Sequence, residues 1–272
     1  MNVESRFGAR KPVVGMVHLP PLPGAPQYDR EGGREAIHGA ARRDAERLGA
    51  GGVDALLVEN FGDAPFYPDD VPEHTVAEMT ALVDTVTDAV DLPVGVNVLR
   101  NDGPAAVTVA AAAGARFARV NVHTGARVAD QGVLEGEAHE TMRRREQLDA
   151  DVAVLADVEV KHSAPLAAEA GADPLVEVTE RGLADGVVVS GERTGARTPL
   201  ESVERAVARR DEAGLEAPVF VGSGVTSESV PDLLSVADGV VVGTALKEGS
   251  EVTNPVDIER VEAVVAAADS VR

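Results

Sequence analysis

The chain has 272 residues, a length that one (β/α)8 barrel commonly reaches, and its 44% hydrophobic content includes only 3% aromatic residues, so the core is expected to be built from Val, Ala and Gly. Twenty-five Lys and Arg against 46 Asp and Glu give a formal net charge of -21, which excludes nucleic acid or an anionic membrane as a partner held by simple attraction. The absence of Cys excludes disulfides and thiolate metal sites, while spread acid and only three lysines (Lys11, Lys161, Lys247) read as adaptation to a high-salt cytoplasm.

The first predicted strand is VVGMVH, 13–18, which ends at His18 and runs into LPPLPGAPQY. Pro20, Pro21, Pro23 and Pro26 preset the backbone there and make the loop a stiff wall. A helix over 35–48 leads to VDALLVE, 53–59, with Glu59 and Asn60 at its end. A helix over 76–90 precedes VGVNVL, 94–99, which carries Asn97; one over 105–113 precedes FARVNV, 117–122, which carries Asn121 and is followed by His123. The next connection, GARVADQGVLEG, is expected to be a lid bearing Asp130. Strand five is VAVLADVEV, 152–160, and strand six is GVVVS, 186–190, which ends in Ser190 and leads through Gly191 into a second lid with Arg193 and Thr194. A helix over 200–213, the strands APVFVG (217–222) and GVVVG (239–243), and a last outer helix over 256–268 complete the chain.

Continuous Val-rich runs are buried on both faces, and their alternation with helices gives parallel β/α units. Eight such units predict an α/β fold of one domain over 1–272, a closed (β/α)8 TIM barrel with its site at the C-terminal rim; an open doubly wound sheet is the alternative. No signal-peptide core and no run of roughly 20 apolar residues is present, so a cytoplasmic protein without membrane contact is expected.

Gly222-Ser223-Gly224 and Gly243-Thr244, at the ends of the last two strands, are where backbone N–H groups converge on phosphate in barrels, and Ser190 and Gly191 extend that set. Lys247 is either the neutralising cation or an exposed helix lysine. Asp157, Glu159 and Lys161 recur at every second position of strand five and so share one face; with Glu59 they are the candidate catalytic groups, against the alternative of a structural ion pair. His18, Asn60, Asn97, Asn121, Asp130, Arg193 and Thr194 form the candidate substrate-binding ring, with no metal assigned.

Together VVGMVHLPPLPGAP, VENFGDAPF, NVLRND, GARVADQGVLEG, ADVEVKH, VVVSGERTG, VGSGV and VVGTALK resemble the BtpA/SgcQ family over essentially the whole chain. The resemblance implies a phosphate-binding TIM barrel, similar to barrels that handle ribosyl and indole phosphates. The family's photosystem I biogenesis label describes one branch. Three functions stay open. One is phosphorolysis of a nucleoside, a purine nucleoside in its most specific form, to ribose 1-phosphate and free base. There, inorganic phosphate is the co-substrate and no other cofactor is expected; Asp157 or Glu159 serves as acid or base, and Glu59 or Asn97 holds ribose hydroxyls. The others are a sugar-phosphate isomerase, epimerase or Schiff-base aldolase working through Lys161, and a non-catalytic photosystem I biogenesis factor. The expected partner is a small phosphate-bearing or nucleoside molecule, with a homo-oligomer left open.

Overall fold

The computed structural model describes residues 1–159, 163–166, 173–191 and 198–272, Glu159 by its backbone alone. Eight parallel strands close into a barrel: β1 (Val13–His18), β2 (Ala55–Glu59), β3 (Val94–Asn97), β4 (Phe117–Val120), β5 (Ala153–Glu159), β6 (Gly186–Val189), β7 (Val219–Val221) and β8 (Gly239–Val242). Their order around the barrel is β1-β8-β7-β6-β5-β4-β3-β2, the closed (β/α)8 topology expected from the sequence. Strand ends are trimmed where the chain has other work; β2 starts after Asp54 and β7 after Pro218, which has no N–H to give a ladder.

Helices α2 (Gly33–Ala50), α3 (Glu73–Thr87), α4 (Gly103–Ala112), α7 (Leu200–Glu212) and α9 (Ile258–Asp269) cover the barrel where apolar periodicity places them. Four helices escape that reading: α1 (Val3–Phe7), α5 (Ala138–Gln147), α6 (Pro174–Val176), which continues as a π turn over Glu177–Arg181, and α8 (Val230–Val236). In α5, AHETMRRREQ buries only Thr141, so it has no apolar stripe to find. The expected fourth-loop lid is instead an antiparallel hairpin, Ala126–Ala129 with Gly132–Glu135, and Ser163–Pro165 pairs with its first strand. Leu134 is buried against Val122 and fastens the hairpin to the barrel.

The core has two shells. Most apolar burial lies between strands and helices, and a smaller cluster fills the barrel itself with Val14, Met16, Ala55, Leu57, Phe117, Ala153, Leu155, Val188, Phe220 and Val241. Helix α1 closes the lower end by inserting Phe7, whose ring centroid lies 5.0 Å from that of Phe117 and 5.2 Å from that of Phe220. Gly95 and Gly239 leave the room those two rings occupy; a Cβ on either would fall 2.2 Å and 2.5 Å from the nearest ring carbon.

Aspartates pin the same end. Asp54, Asp185 and Asp238 each precede a strand and accept the N–H of a neighbouring one, from Val13 (2.7 Å), Val154 (2.8 Å) and Val219 (2.8 Å). Each also holds an arginine, namely Arg272, Arg145 and Arg210. At the other end of β4, His123 turns away from the rim toward Gly182. Its Nε2 donates to the Gly182 carbonyl at 2.8 Å, while its buried Nδ1 has no hydrogen-bond partner among the described residues. Burial lowers its pKa from the ordinary histidine value, partly offset by the Gly182 bond.

Truncating the plug, Phe7→Ala, should lower unfolding free energy in denaturant titrations by about 3–5 kcal/mol. Protonating His123 requires a proton on an unpartnered buried nitrogen, so its contribution is fully present above the unfolded histidine pKa of about 6.5 and is lost as pH falls below it. Wild type should therefore lose stability between pH 6.5 and 5.5 relative to His123→Gln, by up to roughly 1.4 kcal/mol per pH unit. Parallel curves for the two proteins would show that His123 does not titrate differently on folding.

Candidate functional site

Parallel pairing turns partnered residues to the same face, and the register joins His18 to Glu59, Glu59 to Asn97, and Asn97 to Arg119. These four form a continuous row along the inner rim. Asp157 ends the described inward series of β5, and Ser190, Gly222 and Gly243 follow β6, β7 and β8. The uppermost barrel layer is therefore polar or glycine throughout, above two apolar layers.

Arg119 organises this layer. Its Nε donates to Asp157 Oδ1 at 2.8 Å and its Nη2 to Asp157 Oδ2 at 2.9 Å, and Nη2 also donates to Ser190 Oγ at 3.3 Å. Ser190 Oγ donates onward to the Gly222 carbonyl at 2.6 Å. Asn121 Nδ2 donates to Asp157 Oδ2 at 3.1 Å, and Asn97 Nδ2 donates to Asn121 Oδ1 at 3.2 Å and to the Arg119 carbonyl at 3.0 Å. Arg119 and Asp157 are only 3% exposed, so the pair sits in a low-dielectric setting where a broken partner would be costly. Burial opposes the Arg119 charge, but the ion pair and hydrogen bonds with Asp157 outweigh it and raise the guanidinium pKa.

Beside this network lies a cavity of about 360 Å³, lined by Met16, His18, Glu59, Phe61 and Arg119 on one side and by 222–226 and 243–245 on the other. His18 packs edge-on to Phe61 at 5.1 Å, with its Nε2 3.9 Å from Glu59 Oε1. Gly224 takes a positive φ of 75°, and a Cβ on Gly243 would fall 2.9 Å from His18 Cε1, so both glycine loops depend on the missing side chain. The amides of Gly224 and Thr244 donate to no group among the described residues. Thr198 Oγ1 holds the Ser223 carbonyl at 2.9 Å and fixes the first loop.

The proline loop forms a wall because the second loop locks it. Gly62 N donates to the Leu19 carbonyl at 3.0 Å and Leu22 N to Asp63 Oδ1 at 2.7 Å, while a Cβ on Gly62 would sit 2.3 Å from Pro21 N. Asn60 is part of this bracing: its Oδ1 accepts Leu99 N at 2.7 Å and its Nδ2 donates to Asp63 Oδ2 at 3.1 Å.

The sequence-derived site thus divides. His18, Glu59, Gly222, Ser223, Gly224, Gly243 and Thr244 meet at one cavity. Asn97, Asn121, Asp157 and Ser190 form the network beside it, and Gly191 is buried next to Ser190. Asp130 is exposed at the hairpin turn, where it accepts from Gln131 Nε2. Lys161, Arg193 and Thr194 lie outside the described residues. The β5–β6 register shifts between Asp157 and Glu159, so the period-two inference that united them holds no further than Asp157.

Lys247 requires correction. It is 1% exposed and pairs with Asp44 of α2, whose other oxygen accepts Val256 N at 2.9 Å; it is neither an exposed helix lysine nor the cation of the glycine loops. Two arginines were missed. Arg119 announces itself as a lone charge at an inward position of the apolar run FARV, and Arg100 is buried just past β3. Burial lowers the Arg100 pKa, against the opposing pull of Asp157 and Glu59.

Among the described residues no cluster of His, Asp or Glu fits a metal ion, and no helix is long and apolar enough to cross a membrane. The chain is 20% identical to tryptophan synthase of Mycobacterium tuberculosis, with a TM-score of 0.59 over 95% of this chain and 93% of that one. Thiamine phosphate pyrophosphorylase of Pyrococcus furiosus gives 16% identity and a TM-score of 0.56 over 96% of each chain. At such identity these likenesses establish the fold alone. Photosystem I biogenesis protein BtpA of Synechocystis is 42% identical over 98% of this chain and 91% of its own length. An uncharacterized protein of Thermococcus kodakarensis is 44% identical over 97% of each. With the family model described as BtpA family matching residues 9–270 as well, the chain belongs to the BtpA family.

Proposed function

We propose that this protein is an enzyme of ribose and phosphate chemistry that cleaves a nucleoside, a purine nucleoside in the most specific form, by phosphorolysis. The observation that carries the reading is one cavity that joins two glycine loops with undonated amides to a buried carboxylate and a histidine. Amides at Gly224 and Thr244 suit an oxyanion, and Glu59 suits a sugar hydroxyl or positive charge developing on the sugar ring.

In the reaction an oxygen of inorganic phosphate forms a bond to ribose C1 as the C1–N bond breaks. The bonding electron pair leaves with the base, which takes up a proton at the open rim, and the products are ribose 1-phosphate and free base. Positive charge builds on C1 in the transition state, where the phosphate anion and Glu59 oppose it. Asn97, buried next to Glu59 in the strand register, flanks the carboxylate from the network side. Asp157 is a poor choice of proton carrier here, since Arg119 and Asn121 already occupy its oxygens.

The name of the 42% identical relative favours a second reading, a role in photosystem I biogenesis, which needs no turnover. Purified protein should release free base from a nucleoside only when inorganic phosphate is present, in assays run from low to multimolar salt. Failure to turn over any nucleoside would sink the phosphorolysis reading. Glu59→Gln should keep the fold and lower kcat/KM by about 10²-fold, the scale of a lost transition-state electrostatic contact.

A further inference from the structure

We infer that Arg119 is the cation that binds the phosphate group at this site, and that Asp157 and Ser190 are positioning residues acting through it. The inference rests on the phosphate reading above and assigns its missing positive charge. Two amide-bearing loops solvate an anion but leave its charge unbalanced in a cavity that already contains Glu59. Lys247, the cation expected from the sequence, is locked to Asp44 elsewhere.

Arg119 lines the same cavity, and its hydrogen bonds are divided in a way that points to a ligand. Nε and Nη2 are taken by Asp157 and Ser190, whereas Nη1 donates to no group among the described residues. A guanidinium presents five N–H groups in a rigid fork, so fixing one edge on a carboxylate aims the remaining edge. Ser190 then ties the aim of Arg119 to the phosphate loop, since its hydroxyl accepts from Nη2 and donates to the Gly222 carbonyl. Guanidinium and glycine loop are thereby held two hydrogen bonds apart.

Arg119→Lys keeps a charge that can pair with Asp157 but lacks a second edge for the ligand. Asp157→Asn keeps the shape and removes the charge that sets the guanidinium. Titration calorimetry with inorganic phosphate alone, on full-length protein checked for cooperative unfolding, reads binding without turnover. Arg119→Lys should weaken phosphate affinity by about tenfold or more. Asp157→Asn and Ser190→Ala should weaken it by a smaller factor, and in turnover assays raise KM for phosphate more than KM for nucleoside. Because Arg119→Gln alone would strand a buried carboxylate, the pair Arg119→Gln with Asp157→Asn serves as the neutral control and should bind phosphate no better than Arg119→Lys. Folded Arg119→Lys and double variants with wild-type phosphate affinity would make Arg119 a structural brace and overturn the inference while leaving the phosphate site standing. Absence of phosphate binding by wild type would overturn both.

Discussion

Closure of eight parallel strands allows an inward side chain only at every second residue, and at each level the strands share one narrow space. That restriction governs the rest of the molecule. The lower inward positions go to Phe117 and Phe220 above Phe7, the next to Met16, Leu57, Leu155, Val188 and Val241, and the last before the rim to polar groups and glycine. Two apolar layers beneath a polar one keep water from reaching the Arg119–Asp157 pair from below, so its interaction is stronger than at a protein surface.

The barrel ends divide the labour. At the lower end, Asp54, Asp185 and Asp238 combine a strand N–H with an arginine and so register adjacent strands. At the upper end, arginine and aspartate pair across strands within the barrel, and glycine replaces side chains where β7 and β8 emerge. The same ionic chemistry registers strands at one end and, at the other, is buried within the barrel, where Arg119 borders the rim cavity.

Much of this was legible in the sequence because its signals are local. Val-rich runs, helical periodicity and glycine at strand ends name the barrel, its rim and the two loops at Gly222 and Gly243. What escaped depends on partners distant along the chain. Lys247 at the end of GTALK reads like a phosphate ligand until Asp44, some two hundred residues earlier, is found beside it. A one-residue register shift after Asp157 breaks the alternation that the ADVEVKH string suggests, and no residue type in that string marks it. Arg119 left a trace, a charge amid buried positions, but its Asp157 partner is what turns that oddity into a site. The hairpin over 126–135 was missed because its strands are half exposed and, among the described residues, pair only with each other and with 163–165.

The Phe7 plug also sets the traffic of the molecule. With its ring wedged between Phe117 and Phe220, the barrel has no lower exit, and everything that enters the rim cavity must leave by the same opening. A molecule seated toward the floor is then trapped by whatever settles above it. A helix of five residues at the start of the chain thus helps decide that the cavity at the opposite end opens on one side.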